Sequence, residues 1–214
     1  MTDSSIIEKI INTLTTNRQI ITECFQTDTL FEMQLQLSFQ DFLNHDVGKY
    51  NMSELLANYA DKILRKGGVK GEKKVLEEQL ENLAQIFTYL YDKDLFLVVY
   101  RTQLARRLLQ EVYEDFELEK QLITRLKVTC GMQQMNQMQG MLSDYLAVKE
   151  ETKEFLTYLD SCPNTELMPN SQFDFNIQCL KTGNWPAFKV ISLQMPPQIN
   201  DKFEQFKRFY TNKH

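Results

Sequence analysis

The chain has 214 residues, 43% apolar and 25% charged, so it can bury a real core and is ordinary in make-up for a globular protein. Its net charge of −5 argues against a surface built throughout for nucleic acid, though a local basic patch remains compatible with it. No apolar run approaches the roughly 20 residues of a membrane span, and the N-terminus lacks the basic and apolar regions of a secretion signal.

Two helices are predicted within residues 1–44. Ile6, Ile10, Leu14, Ile20, Ile21 and Phe25 mark the first, with Ser4 or Ser5 as its cap. The second spans about residues 29–43 and is expected to turn Leu30, Met33, Leu37 and Phe42 inward. A loop with Gly48 and Asn51 precedes Ser53, read as the cap of a helix over residues 53–67. Its apolar face is Leu55, Leu56, Tyr59, Ile63 and Leu64. Gly67, Gly68 and Gly71 then end it; no strand precedes them and the GxxxxGK(S/T) order is absent, so they are not a phosphate-binding loop. From 72 to 91, Leu76, Leu80, Leu83, Phe87 and Leu90 recur at alternating steps of four and three, the seam of a helical bundle.

Residues 92–109, DKDLFLVVYRTQLARRLL, form the most apolar predicted helix, with Asp94 as its cap. Leu97, Tyr100, Leu104 and Leu108 share one face, while Leu95, Val98, Val99, Ala105 and Leu109 cover most of the others. Enclosure by other helices is therefore expected, and Arg101, Arg106 and Arg107 then need partners or a route to water. Leu118, Leu122 and Leu126 mark the next helix, which continues past Gly131 through Met135, Met138, Leu142 and Tyr145. The methionine stripe reads as flexible core filler, and Gly140 as a place where two helices approach closely. A short helix over residues 151–159 follows.

Composition changes at CPNTELMPNS. Beyond it, Phe173, Phe175, Ile177 and Cys179 alternate with Asp174, Asn176 and Gln178 up to Leu180, the period of a half-buried strand. KTGNWP supplies a turn and FKVISL a second strand. Pro196 and Pro197 open a last helix with Ile199, Phe203, Phe206, Phe209 and Tyr210 on an aromatic face. The expected fold is mainly α: lead-in helices over residues 1–45, a multi-helix bundle of four-helix type over 46–160, and a small partial α/β unit over 161–214.

Several of these stretches resemble the cullin family in the family's own order, over about residues 42–214. FLNHD (42–46) is similar to its Phe-(Ile/Leu)-Asn segment, and SELLANYADKILRK to its Glu-Leu-Leu-Ala helix with a Leu-x-Lys-Lys ending. Asp92, Lys93, Asp94, Phe96, Tyr100, Leu104, Ala105, Arg106, Arg107, Leu108 and Leu109 match an acidic-lysine-acidic start that leads into LA(K/R)RLL. Leu126, Lys127, Cys130, Gly131, Met141 and Asp144 match a later run. The tail matches Asp-Phe-x-(Ile/Val)-x-x-Leu, Gly-x-Trp-Pro, Leu-Pro-x-x-Ile (Met195 standing for the leucine) and a Phe/Tyr-rich ending at His214.

That resemblance implies a scaffold of a cullin-RING ubiquitin ligase, in which a small sheet receives a strand from a RING-box protein. Phe173, Asp174, Phe175, Asn176, Ile177, Gln178, Cys179, Leu180 and Trp185 would belong to the docking region. The RING domain would then recruit a ubiquitin-conjugating enzyme. The cullin-like subunit of the anaphase-promoting complex is a near neighbour with the same fold. The adaptor-binding repeats that precede this region in the family, and the GRKL segment and winged-helix region with the modified lysine that follow it, are not in this sequence. The expectation is therefore a fragment, and the modified lysine lies beyond it.

Residue chemistry points the same way. His45 and His214 have no evident nucleophile to activate, so no catalytic role is expected. Cys24, Cys130, Cys162 and Cys179 are far apart and form no CxxC pair, so neither a metal, a cofactor nor a disulfide framework is expected. Scattered reduced thiols fit the cytoplasm or nucleus. The one local charge anomaly is Lys62, Arg65, Lys66, Lys70, Lys73 and Lys74, of which the first three are expected on one helical face. It reads either as a solvated helix end or as a docking groove for an acidic segment of the conjugating enzyme. The alternative from another class is a helical protein that binds nucleic acid or an anionic membrane surface through the same cluster.

Overall fold

The structure is a computed structural model and describes residues 3–45, 51–69, 71–161, 175–189 and 192–213. Among them are eight helices and no strand: α1 (Asp3–Phe25), α2 (Thr29–Leu43), α3 (Met52–Leu64), α4 (Lys73–Tyr89), α5 (Lys93–Leu109), α6 (Phe116–Cys130), α7 (Met132–Ser161) and α8 (Pro197–Lys213). The mainly helical expectation holds. The chain divides into two compact units, Met1–Met138 and Gln139–His214, and the division falls inside α7.

In the first unit α3 is the central element, packed against α1, α4 and α5. Nine of its thirteen residues are buried, including all of Leu55, Leu56, Tyr59, Ile63 and Leu64. Alanines at 57 and 60 have no side chain beyond Cβ, so the neighbouring helices come close on that side. The seam of α4 is realised in full, with Leu76, Leu80, Leu83, Phe87 and Leu90 all buried. Leu118, Leu122 and Leu126 of α6, and Met135 and Met138 of α7, complete the core. Aromatic contacts tie α4 to α5, where the Phe87 and Phe96 rings lie 4.7 Å apart.

Helix starts follow short polar side chains, though not always the expected ones. Asp92, not Asp94, caps α5 by accepting from Leu95 N at 3.1 Å. Asn51, not Ser53, caps α3 by accepting from Ser53 N. The Ser53 hydroxyl instead donates to the Asp92 carbonyl at 2.7 Å and joins the two helix starts. Gly131, with φ of +80°, separates α6 from α7, so the predicted continuation is broken by a backbone conformation that side chains other than glycine rarely adopt. The predicted break near residue 150 is absent, and α7 runs unbroken to Ser161.

Two burial expectations fail. On α2, Leu30, Met33, Leu37 and Phe42 are exposed, and the helix instead buries Phe39 and Leu43. The stripe has a helical period, but period alone does not say which side a neighbour covers. On α5, Asp94, Val98, Thr102 and Arg106 form an exposed line at steps of four, so the helix is not enclosed all round. Val98 is 64% exposed.

In the second unit an aromatic cluster joins α7 to α8. Phe155 is buried against Phe206 at 5.3 Å and Phe209 at 5.5 Å, and Tyr158 meets Phe209 at 5.3 Å. The predicted aromatic face of α8 is thus largely used, although Ile199 stays exposed. The predicted strands are not found: residues 175–180 and the described part of 188–193 are irregular. Phe173, Asp174 and Lys70, like Cys162, Val190 and Ile191, lie outside the described residues. A strand needs a neighbouring edge, and no backbone–backbone hydrogen bond joins 175–180 to another described segment. The segment is held through side chains instead.

Candidate functional site

Of the expected docking residues, 175–180 form a short irregular segment laid beside α7 and α8. Phe175 is half-buried and its ring lies 6.4 Å from that of Phe155. Ile177, Gln178 and Leu180 are half-buried, while Asn176 and Cys179 are exposed. The Cys179 side chain shares a hydrogen bond with the Tyr210 hydroxyl, which pushes the Tyr210 phenol up. Side chains therefore fasten the segment at Phe175 and Cys179, while its main-chain groups make no ladder with any other described residue.

Trp185, placed in the docking region by the resemblance, is buried. Only 5% of it is exposed, and its Nε1–H donates to Asp144 Oδ2 at 3.0 Å. The same oxygen accepts from Asn184 Nδ2 at 3.0 Å and from Lys181 N at 3.3 Å. Gly140, one turn before Asp144 on α7, leaves the space in which the Asn184 amide lies. A Cβ there would stand 2.4 Å from Asn184 Cγ. Gly140 thus admits a side chain from the loop; the close approach of a second helix expected of it is not what it serves. The family resemblance pointed to Trp185 but not to its partner, which lies 41 positions away.

The basic cluster is more dispersed than expected. Helix α3 ends at Leu64, and Arg65 follows with φ −81° and ψ 135°, so Lys62, Arg65 and Lys66 do not share a helical face. The backbone leaves the helix because it pairs with the turn after α5: Lys66 N donates to Val112 O and Glu114 N to Leu64 O, each at 2.8 Å. This forms a single antiparallel bridge between Arg65 and Tyr113. Gly68 folds back so close to the end of α3 that a Cβ would meet the Lys62 carbonyl oxygen at 1.9 Å.

Acidic side chains are interleaved with the cations. Arg65 pairs with Asp61 at 3.4 Å and Lys73 with Asp115 at 2.7 Å. The Lys73 hydrogen bond holds the Asp115 carboxyl below its usual range, helped by the Glu117 backbone N–H. Gly67 N donates to Glu114 Oε2 at 3.1 Å. A groove of about 400 Å³ beside Lys73 is walled by Tyr113, Glu114, Asp115 and Phe116, so it carries both signs of charge. Lys62, Lys66 and Lys74 have no ion pair among the described residues.

A charged centre missed in the sequence lies inside the first unit. Arg107 is fully buried on α5 and reaches two carboxylates. Its Nε and NH2 donate to the two carboxylate oxygens of Glu119, at 2.6 and 3.0 Å, and its NH1 donates to Asp61 at 2.6 Å. Tyr100 adds a hydroxyl donor to Glu119 at 3.1 Å, and its ring lies 5.4 Å from the guanidinium. Burial works against the Arg107 cation, but the Glu119 carboxylate and its hydrogen bonds outweigh that and raise the guanidinium above its usual range. The same burial, with the Glu119 charge, pushes the Tyr100 phenol well up. Such a planar, two-pronged pair suits arginine and not lysine. A hint was present in the sequence, since an arginine on an otherwise apolar face needs a partner; which acid supplies it was not readable.

The arrangement contains internal ion pairs and a groove walled by both signs of charge. Among the described residues no group of histidine, cysteine and carboxylate side chains could hold a metal, and no helix is long and apolar enough to cross a membrane.

Comparison with known proteins adds the family. The cullin alpha solenoid domain matches residues 1–152. The chain is similar to Cullin-1 of Oryza sativa subsp. japonica, 36% identical over 191 residues, which are 89% of this chain and 25% of that protein. It is 34% identical over 213 residues to Cullin-2 of Arabidopsis thaliana, covering 99% of this chain and 28% of the relative. Cullin-4A of Mus musculus is 26% identical over 212 residues, with 99% and 27% covered. The chain thus spans about a quarter of the length of the curated relatives it matches.

Proposed function

The chain belongs to the cullin family, and from that premise we propose that it is a non-catalytic scaffold segment of a cullin-RING ubiquitin ligase, acting in the cytoplasm and nucleus. In this reading the stretch of Phe173, Asp174, Phe175, Asn176, Ile177, Gln178, Cys179 and Leu180 docks a RING-box protein. That protein brings a ubiquitin-conjugating enzyme, whose acidic segment is steered by Lys62, Lys66 and Lys74. Trp185 supports the docking segment from within and does not touch the partner.

One observation carries the reading. Residues 175–180 lie against an aromatic cluster, yet their main-chain groups have no backbone partner among the described residues. Exposed main-chain donors and acceptors are a template for strand addition, in which a partner's extended segment supplies the missing hydrogen bonds. The interleaved acids Asp61, Glu114 and Asp115 weaken the basic cluster as a site for nucleic acid or anionic lipid, which favours fields of one sign.

Hydrogen exchange with and without a RING-box protein tests the reading. The partner is expected to slow exchange at 175–180, and Ile177→Pro to abolish binding, because proline removes a donor and fits poorly inside a paired strand. Protection confined to residues 1–138, or undiminished binding by Ile177→Pro, would sink it.

A further inference from the structure

We infer that Asp144 is a positioning residue for the docking segment: its buried carboxylate clamps the turn at 181–185 onto α7 and so holds residues 175–180 ready for a partner strand. The inference rests on the docking reading above and concerns how that site is kept in shape. Three N–H donors from five consecutive residues converge on one oxygen, Asp144 Oδ2: the backbone of Lys181, the side-chain amide of Asn184 and the indole of Trp185. The turn is closed by Asn184 N donating to Lys181 O at 3.0 Å. Asp144 is 5% exposed. No cationic side chain pairs with it among the described residues, so these neutral donors carry the satisfaction of its charge. Gly140 makes the arrangement possible, since any larger residue would occupy the place of the Asn184 amide.

The consequence reaches the docking segment because the clamp begins at Lys181, directly after Leu180. The other end of the segment is held by Phe175 on Phe155, while Cys179, next to the clamp, meets Tyr210. A six-residue stretch is thus fastened at both ends by side chains while its main chain has no backbone partner among the described residues. A segment ordered before binding loses less conformational freedom when a strand is added, which raises affinity without any new contact. Without Asp144, the Asn184 amide and Trp185 indole lose this acceptor, and the turn is held less firmly on α7.

The test uses the full chain, a RING-box protein as the probe, and Asp144→Ala and Asp144→Asn. Asp144→Ala is expected to speed exchange at 175–185 at least tenfold and to weaken docking at least tenfold. Asp144→Asn keeps one acceptor oxygen in the same place and should restore part of both losses. Amides of α7 and α8 should exchange as in the parent. Saturating RING-box protein should return 175–180 in Asp144→Ala to the protection of the bound parent, because only the free state is loosened. A purely structural role would instead open α7 and α8 and leave protection incomplete at saturation, and that result overturns the inference. So does unchanged affinity in Asp144→Ala while the parent binds. Absence of binding by the parent itself overturns the docking reading, and the role of Asp144 falls with it.

Discussion

Glu119 and Asp144 are both buried carboxylates, and the two units satisfy them by different means. Glu119, with no exposed surface, faces a cation: Arg107 of α5 meets it with two hydrogen bonds and reaches on to Asp61 of α3. Asp144, 5% exposed, faces backbone, amide and indole N–H groups of one turn. The first arrangement ties three helices whose residues are 46 and 12 positions apart, so it reports the register of the whole unit. The second ties one loop to one helix. Loss of a partner should accordingly be global in the first unit and local in the second.

The largest expected effect tests the first half of that contrast. Arg107→Ala strands Glu119 without a counter-charge, and removal of one partner from a buried pair costs about 3–5 kcal/mol. Denaturant melts should show it, with much of the loss recovered in the double change Arg107→Met, Glu119→Leu, which removes both charges. A loss under about 0.5 kcal/mol, typical of surface positions, would mean that the network does not lock the helices.

Gly140→Ala probes the local half. The new methyl overlaps the Asn184 amide and must displace it, at a cost of about 1–3 kcal/mol for overpacking. Faster hydrogen exchange should be confined to 181–185, with α3 to α6 unaffected. Spread of the effect into the first unit would erase the distinction between the two carboxylates.

A smaller effect is expected from pH. Tyr59 on α3 is pushed up to about 12, first by burial and then by the charge of Glu8, against an ordinary value near 10. The folded state holds this proton more tightly than the unfolded state. Its contribution is therefore complete below about pH 10 and is lost as pH rises towards about 12. Tyr59→Phe should flatten the fall in stability across that window, while Tyr100, shifted in the same direction, keeps its share. Parallel alkaline melts of parent and variant would refute a buried, protonated Tyr59.

The smallest structural effect belongs to the exposed cations. Changing Lys62, Lys66 and Lys74 to Glu should leave the melting midpoint within measurement error, since none has an ion pair to lose among the described residues. The association rate of an acidic conjugating enzyme with the RING-box complex should nevertheless fall. The difference should shrink as salt screens it over about 8 Å at physiological ionic strength. Equal rates at low salt would leave the cluster as solvated surface.

Legibility differed from element to element for physical reasons. The α4 seam and the inward face of α3 were readable in full, because a helix that buries one stripe must repeat it every three to four residues. The same rule misplaced α2, whose sequence carries apolar residues on more than one side. The strand at 173–180 was inferred from alternation, but alternation describes one segment, whereas a strand also needs an edge beside it. The family resemblance singled out Trp185 without saying whether it fills an interior or meets a partner, because the two kinds of tryptophan look alike in sequence; the structure buries it.

By itself the sequence determined the helical class, the positions of most helices, the core seams of α3, α4 and α6, and the family resemblance. These depend on spacing along a chain whose local geometry is fixed by 3.6 residues per turn. Tertiary structure alone decided that Arg107 meets Glu119 and Asp61, that α3 ends at Leu64 to pair with the turn after α5, and that Asp144 gathers Lys181, Asn184 and Trp185. Each of these joins residues 12 to 50 positions apart. A buried polar group requires a partner, but its own residue type does not say which distant one the packing will bring.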